Sequence, residues 1–99
     1  MVRMKTIRLH GEYFIAVSIR LPHHEILLIT STHGFICDAQ FSTEFISHHH
    51  QQCVMAIVEH GDSFEALLTS RVISCSNAAA AKGISEGMSG EEALFGMFA

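Results

Sequence analysis

Three consecutive histidines, His48, His49 and His50, lie just before Cys53, and imidazole and thiolate groups are the usual ligands of zinc. The sequence predicts a helix from Ser42 to about Gln52, in which successive side chains point about 100° apart. Three neighbours on such a helix cannot converge on one ion. Pairs at helical spacing would supply two ligands where zinc takes three or four. We therefore interpret the histidines as an exposed last helical turn, with weak His-based metal binding as an alternative.

A second group that could do chemistry is His33 with Cys37 and Asp38. On a regular strand His33 and Cys37 are about 13 Å apart, which is too far for a Cys–His catalytic pair. His33 follows a turn signal and precedes Gly34, so its side chain could face a cleft. His33 and Asp38 are thus candidates for a catalytic or ligand-binding site, and a structural turn histidine is the competing interpretation.

The glycine-rich run from Gly83 to Gly90 precedes the last predicted helix, where backbone N–H groups can bind an anion. The run lacks the GxxxxGK[ST] pattern, and the carboxylates of Glu91 and Glu92 would repel a phosphate. We interpret the glycines as turn residues. The chain also lacks GxSxG, HExxH and DxD motifs, so no cofactor is expected.

The elements that must position these residues are mostly strands in the first half of the chain. A strand from Lys5 to His10 is predicted to pair across a His-Gly turn with "EYFIAVSIRL". This second strand alternates between a strongly apolar face and a mixed one. "EILLITS" is predicted as a central strand because its apolar run is continuous, and "GFICDAQF" as a further short strand.

In the second half, helical and strand patterns alternate. "CVMAIVE" and "RVISC" predict strands, and "DSFEALL", "SNAAAAKG" and "SGEEALFGMF" predict short helices. The predicted N-terminal caps are Asp62, Ser76 and Ser89. Together these patterns predict one compact α+β domain over residues 1–99, with a largely antiparallel or mixed sheet packed with short helices.

Composition excludes several functional classes. The net charge is −4 with six Lys and Arg, too few for a nucleic-acid interface. No apolar run is long enough for a membrane helix or a signal peptide, so we expect no membrane association and a cytoplasmic protein. Three cysteines without CxxC spacing are expected to remain reduced. Because 48% of residues are hydrophobic and only 16% charged, apolar surface is expected at a subunit contact.

The C-terminal run "KGISEGMSGEEAL", with "VEHGDSFEALL" and "THGFI", resembles the YunC-like family (DUF1805), small bacterial and archaeal proteins of unknown function. The resemblance extends over almost the whole chain and implies a compact α+β fold without a defined activity. In the family pattern a cysteine followed by glycine stands where this chain has Asp38 and Ala39. Cys37 would therefore face the opposite side of its strand, and no cysteine role is transferred.

The leading functional hypothesis is a non-catalytic module that self-associates, most simply as a homodimer, or binds another protein. The alternatives are a small enzyme or ligand-binding domain around the His33 turn, and the weak metal-binding protein described above. The sequence leaves open whether the protein is an enzyme.

Overall fold

The computed structural model of the chain describes residues 1–22, 24–38 and 53–98, and six strands in these ranges form one sheet. The strands lie side by side in the order of the chain, and all neighbours are antiparallel except β4 and β5, which are parallel. They are β1 (Val2–Leu9), β2 (Glu12–Leu21), β3 (His24–Thr30), β4 (Phe35–Asp38), β5 (Met55–Val58) and β6 (Val72–Cys75).

The β1–β2 hairpin confirms the strand pair predicted from the period-two pattern, although β1 begins at Val2, three residues before the predicted start, and ends at Leu9. Its register runs from Val2 opposite Ile19 to Leu9 opposite Glu12. The two turn residues, His10 and Gly11, have φ angles of 51° and 87°. Two residues with positive φ are what a tight hairpin turn requires if its twist is to match that of the strands.

Three short helices occur in the described ranges: α1 (Phe64–Thr69), α2 (Asn77–Ala81) and α3 (Gly90–Gly96). Ser76 and Ser89 cap α2 and α3 as predicted, and Ser89 forms a capping box with Glu92. The predicted cap of α1 was wrong. Ser63, rather than Asp62, accepts the hydrogen bond from the Ala66 N–H at 3.0 Å, because the helix begins one residue later than the Asp-x-x-Glu spacing indicates.

The helices pack on one face of the sheet and form the main core with it. Phe14 on β2 is 1% exposed and contacts the rings of Phe95 and Phe98 edge-on, with centroid distances of 5.5 and 5.8 Å. Other fully buried members of this core include Ile29, Ile36, Val58, Leu67, Leu94 and Met97. The aromatic residues of the chain's last turn thus fix the C-terminal helix to the sheet.

The helices cover the less apolar of the two faces of β2. Phe14, Ala16 and Ser18 are buried beneath them, whereas Tyr13 and Ile15, in the more apolar row, are 64% and 45% exposed. The predicted helix over residues 42–52, with His48 to His50, lies outside the described residues.

Candidate functional site

Most of the exposed large apolar side chains of the described residues lie on the face of β1, β2 and β3 that points away from the helices. Val2 and Met4 on β1 are 60% and 70% exposed, and they lie across from Ile19 and Val17 on β2. The rows continue onto β3, where Leu28 lies across from Val17. We call this surface the open face; its described members are Val2, Met4, Thr6, Arg8, Tyr13, Ile15, Val17, Ile19, Leu21, Ile26, Leu28 and Thr30.

The open face carries almost no charge. Among its described side chains only Arg8 is ionic, and it lies at one end of the hairpin. The Cζ atom of its guanidinium lies over the Tyr13 ring, 5.6 Å from the ring centroid. Three strands spaced about 4.8 Å apart, with about seven residues each, present roughly 330 Å² of flat area. The largest apolar patch on a soluble monomer is typically about 300–600 Å² and is often functional, so this face is a candidate contact surface.

The same side of the sheet is fully buried farther along. Cys37 on β4 and Met55 and Ile57 on β5 are 0% exposed and form a second, smaller core cluster, against which Leu28 and Phe35 pack. Cys37 lies between Leu28 and Ile57 in the strand register, so this cluster directly continues the rows of the open face. The open face is therefore the solvent-exposed part of a longer apolar surface.

His33 lies in the turn between β3 and β4 and is exposed. The backbone N–H of Ser31 donates to the Gly34 carbonyl at 2.8 Å, and the His33 N–H donates to the Ser31 hydroxyl at 3.1 Å. The imidazole contacts the Phe98 ring edge-on at a centroid distance of 4.6 Å. The exposed histidine of the predicted turn is thus held by an aromatic contact.

Asp38 lies at the opposite end of β4 from the His33 turn. The four residues of β4 alone span roughly 10 Å, and His33 lies two residues before the strand begins. Asp38 is 7% exposed and packs so closely on Gly61 that a side chain at position 61 would overlap it. The structure therefore does not bring His33 and Asp38 together, and a site that uses both would have to extend along the whole strand.

Cys37 is not placed as a nucleophile. Burial, with the charge of the neighbouring Asp38, raises the pKa of its thiol from 9.0 to about 12. Because the thiolate is the reactive form, such a thiol is unreactive at neutral pH. Cys53 and Cys75 are also free thiols, and burial followed by the charge of Glu86 raises the pKa of Cys75.

Within the described ranges, no three His, Cys, Asp or Glu side chains converge as metal ligands.

A cleft on the helix side of the sheet was missed by the sequence analysis. It has a volume of about 570 Å³ and lies between the hairpin strands and the start of α1. Its lining includes Arg3, Lys5, Ala16, Ser18, Glu25, Leu27, Asp62, Ser63 and Phe64. The only sequence signal for it is the spacing of Arg3 and Lys5, which places two cations on one face of an edge strand.

No protein-family model matches the chain, and no curated protein matches it in sequence. A search of solved structures finds a crystal structure of a protein of unknown function from Thermoplasma acidophilum, with a TM-score of 0.84 and 16% sequence identity. The match covers 98% of this chain and 93% of the other. The similarity shows that the α+β fold occurs in another protein of unknown function. In the described part of the chain, no helix is long and apolar enough to cross a membrane.

Proposed function

We propose that this chain is a self-associating module that forms a two-fold dimer through its open face. The observation that supports this most directly is the burial pattern of β2, whose more apolar row is the one that the helices leave exposed. Exposure of apolar side chains to water costs about 25 cal/mol of free energy per Å² of apolar area. Association would recover this free energy for the exposed side chains of the open face, which include Val2, Met4, Tyr13 and Ile15.

A second copy of the same face is the occupant that fits it best. A two-fold interface places the same surface on both partners, so a nearly uncharged face meets another nearly uncharged face. Arg8, its only described charge, lies at one end of the strands and can stay at the rim of the contact. The roughly 330 Å² of flat area is below the ~800 Å² per partner of a standard interface, so the contact must include neighbouring surface or be weak.

The test is the molar mass measured by light scattering during gel filtration, at several protein concentrations. The wild type is expected at twice the 10.9 kDa mass of one chain. Ile15→Lys places a charge near the middle of the open face and is expected to give a monomer, because a buried unpaired charge costs several kcal/mol. Wild-type protein that stays at one chain's mass on concentration would refute the proposal.

The matched control is Ile73→Lys. Ile73 is 39% exposed, similar to Ile15, and it belongs to β6, four strands away from β2 and so about 19 Å distant. This variant is expected to remain dimeric. If Ile15→Lys is still dimeric while its circular dichroism shows a folded chain, the dimer uses another surface. Loss of the dimer in Ile73→Lys alone would point to the β6 edge.

We also propose that the chain belongs to the YunC-like family and that the protein is cytoplasmic. The structure gives physical roles to several residues on which the resemblance rests. Gly87 has a φ of 92°, a value that favours glycine, and Ser89 and Glu92 form the box that starts α3. Gly90 packs against the Leu67 carbonyl so closely that any side chain would overlap it.

Binding of a different protein at the open face is the alternative outcome if the isolated chain is monomeric.

A further inference from the structure

We propose that the cleft between the hairpin and α1 binds a small organic anion. The ligand's carboxylate or phosphate would lie between Arg3 and Lys5, and its apolar body would rest on Leu27 and Phe64. The volume of about 570 Å³ is within the range of small-molecule sites, which combine mainly apolar walls with a few polar groups. This inference is independent of the dimer, because the cleft and the open face lie on opposite sides of the same strands.

The side chains of β2 that line the cleft are small. Ala16 and Ser18 follow Phe14 on the helix-facing side of β2, and only Phe14 is met by the aromatic rings of α3 and the residues after it. Leu27 on β3 lies across from Ser18 and provides an apolar floor that is 5% exposed. Phe64, the first residue of α1, forms part of the opposite wall.

Two cations stand on the outer wall of the cleft. Arg3 lies across from Ser18 and Lys5 across from Ala16, so both point to the same side of β1, with roughly 6.6 Å between their Cα atoms. Lys5 Nζ lies 5.9 Å from the centre of the Phe64 ring. No carboxylate of the described residues lies within ion-pairing distance of either cation. An anionic group of a ligand could therefore bind both without displacing an internal ion pair.

The other charges of the cleft also favour an anion. Glu25 accepts a hydrogen bond from the Ser18 hydroxyl at 2.7 Å and lies 3.8 Å from the Arg20 guanidinium, so its carboxylate is already engaged. Because Glu25 is paired with Arg20, which lies outside the lining, two cations of the cleft, Arg3 and Lys5, remain against one carboxylate, Asp62. This local positive excess occurs in a chain whose formal net charge is −4. Asp62, on the far wall, opposes the anion and sets the orientation in which it can enter.

The test is a titration of ¹⁵N-labelled protein with phenyl phosphate, followed by amide chemical shifts. Shifts are expected in the cleft segments 3–5, 16–18 and 62–64. Arg3→Gln is expected to weaken binding about tenfold, the usual effect of losing one charge-assisted hydrogen bond. The matched control is Arg8→Gln, which removes the same charge from the same strand on the opposite face. It should change the affinity by less than about twofold, since exposed charges at that distance are largely screened.

Three further measurements make the proposal easy to refute. Benzylamine should not bind, inorganic phosphate should bind more weakly than phenyl phosphate, and Asp62→Asn should tighten phenyl phosphate binding about two- to threefold. The proposal is overturned if neither phenyl phosphate nor benzoate shifts the cleft amides at about 10 mM, a concentration that detects even millimolar affinity. It is also overturned if Arg8→Gln and Arg3→Gln weaken binding equally, or if benzylamine binds as well as the anions.

Discussion

The buried thiol of Cys37 should make the protein less stable in alkaline solution. The side chain is 0% exposed, and its pKa is raised from 9.0 to about 12, mainly by burial and further by the charge of Asp38. The folded chain therefore keeps the thiol proton at pH values where the unfolded chain has released it. The stabilising contribution is complete below about pH 9 and is lost progressively between pH 9 and pH 12.

The magnitude follows from the difference in proton binding between the folded and unfolded states. Above pH 9, each pH unit lowers the free energy of unfolding by about 1.4 kcal/mol, until the folded thiol itself ionises. At pH 10 the expected loss from Cys37 is therefore about 1.4 kcal/mol, and near pH 12 it approaches about 4 kcal/mol. A domain of this size has a total stability of about 5–15 kcal/mol, so the first of these losses is measurable and the second could unfold the protein.

The assay compares urea unfolding of the wild type and Cys37→Ala at pH 7 and pH 10, by circular dichroism at one fixed protein concentration. Removing the sulfur atom lowers stability by the same amount at both pH values, so this cost cancels in the comparison. Between pH 7 and pH 10 the wild type is expected to lose about 1.4 kcal/mol more than the variant. Equal losses in the two proteins would refute the reasoning, because they would mean that the folded protein accommodates the Cys37 thiolate.

Two other predictions concern the N-terminal cap of α1 and the role of His33. Ser63→Ala should lower the free energy of unfolding by about 1 kcal/mol, whereas Asp62→Ala should change it by less than about 0.5 kcal/mol. Urea unfolding measures both losses. A larger loss in Asp62→Ala than in Ser63→Ala would restore Asp62 as the cap of α1. His33→Ala should cost less than about 1.5 kcal/mol, since it removes an exposed side chain and one ring contact with Phe98. A thermal denaturation experiment showing a loss above about 2 kcal/mol would instead assign His33 a structural role.

Local patterns predicted most of the strands and two of the three described helix caps. The alternation along "EYFIAVSIRL" and the His10-Gly11 turn were sufficient for the hairpin, because side-chain period and turn conformation are set by neighbouring residues. The caps Ser76 and Ser89 were recognisable for the same reason. At α1 two adjacent residues could both act as caps, and a shift of one residue in the helix start decided for Ser63.

Tertiary structure decided which face of each strand is covered. Alternation in β2 defines two faces, but it does not say which of them meets the helices. That choice depends on Phe95 and Phe98, about eighty residues later in the chain, which pack on Phe14 and leave Tyr13 and Ile15 exposed. The parallel pairing of β4 with β5 likewise depends on contacts that no local pattern records.

For the candidate sites too, some features could be predicted from the sequence and others depend on tertiary packing. The sequence by itself supplied the residue types and the exposed turn position of His33. It also predicted a separation of about 13 Å between His33 and Cys37 on a regular strand. It could not supply the cleft, whose walls come from Arg3 and Lys5 on β1 and from Asp62 to Phe64 at α1. Those segments are nearly sixty residues apart, and only the packing of α1 against the sheet places their charges in one cavity.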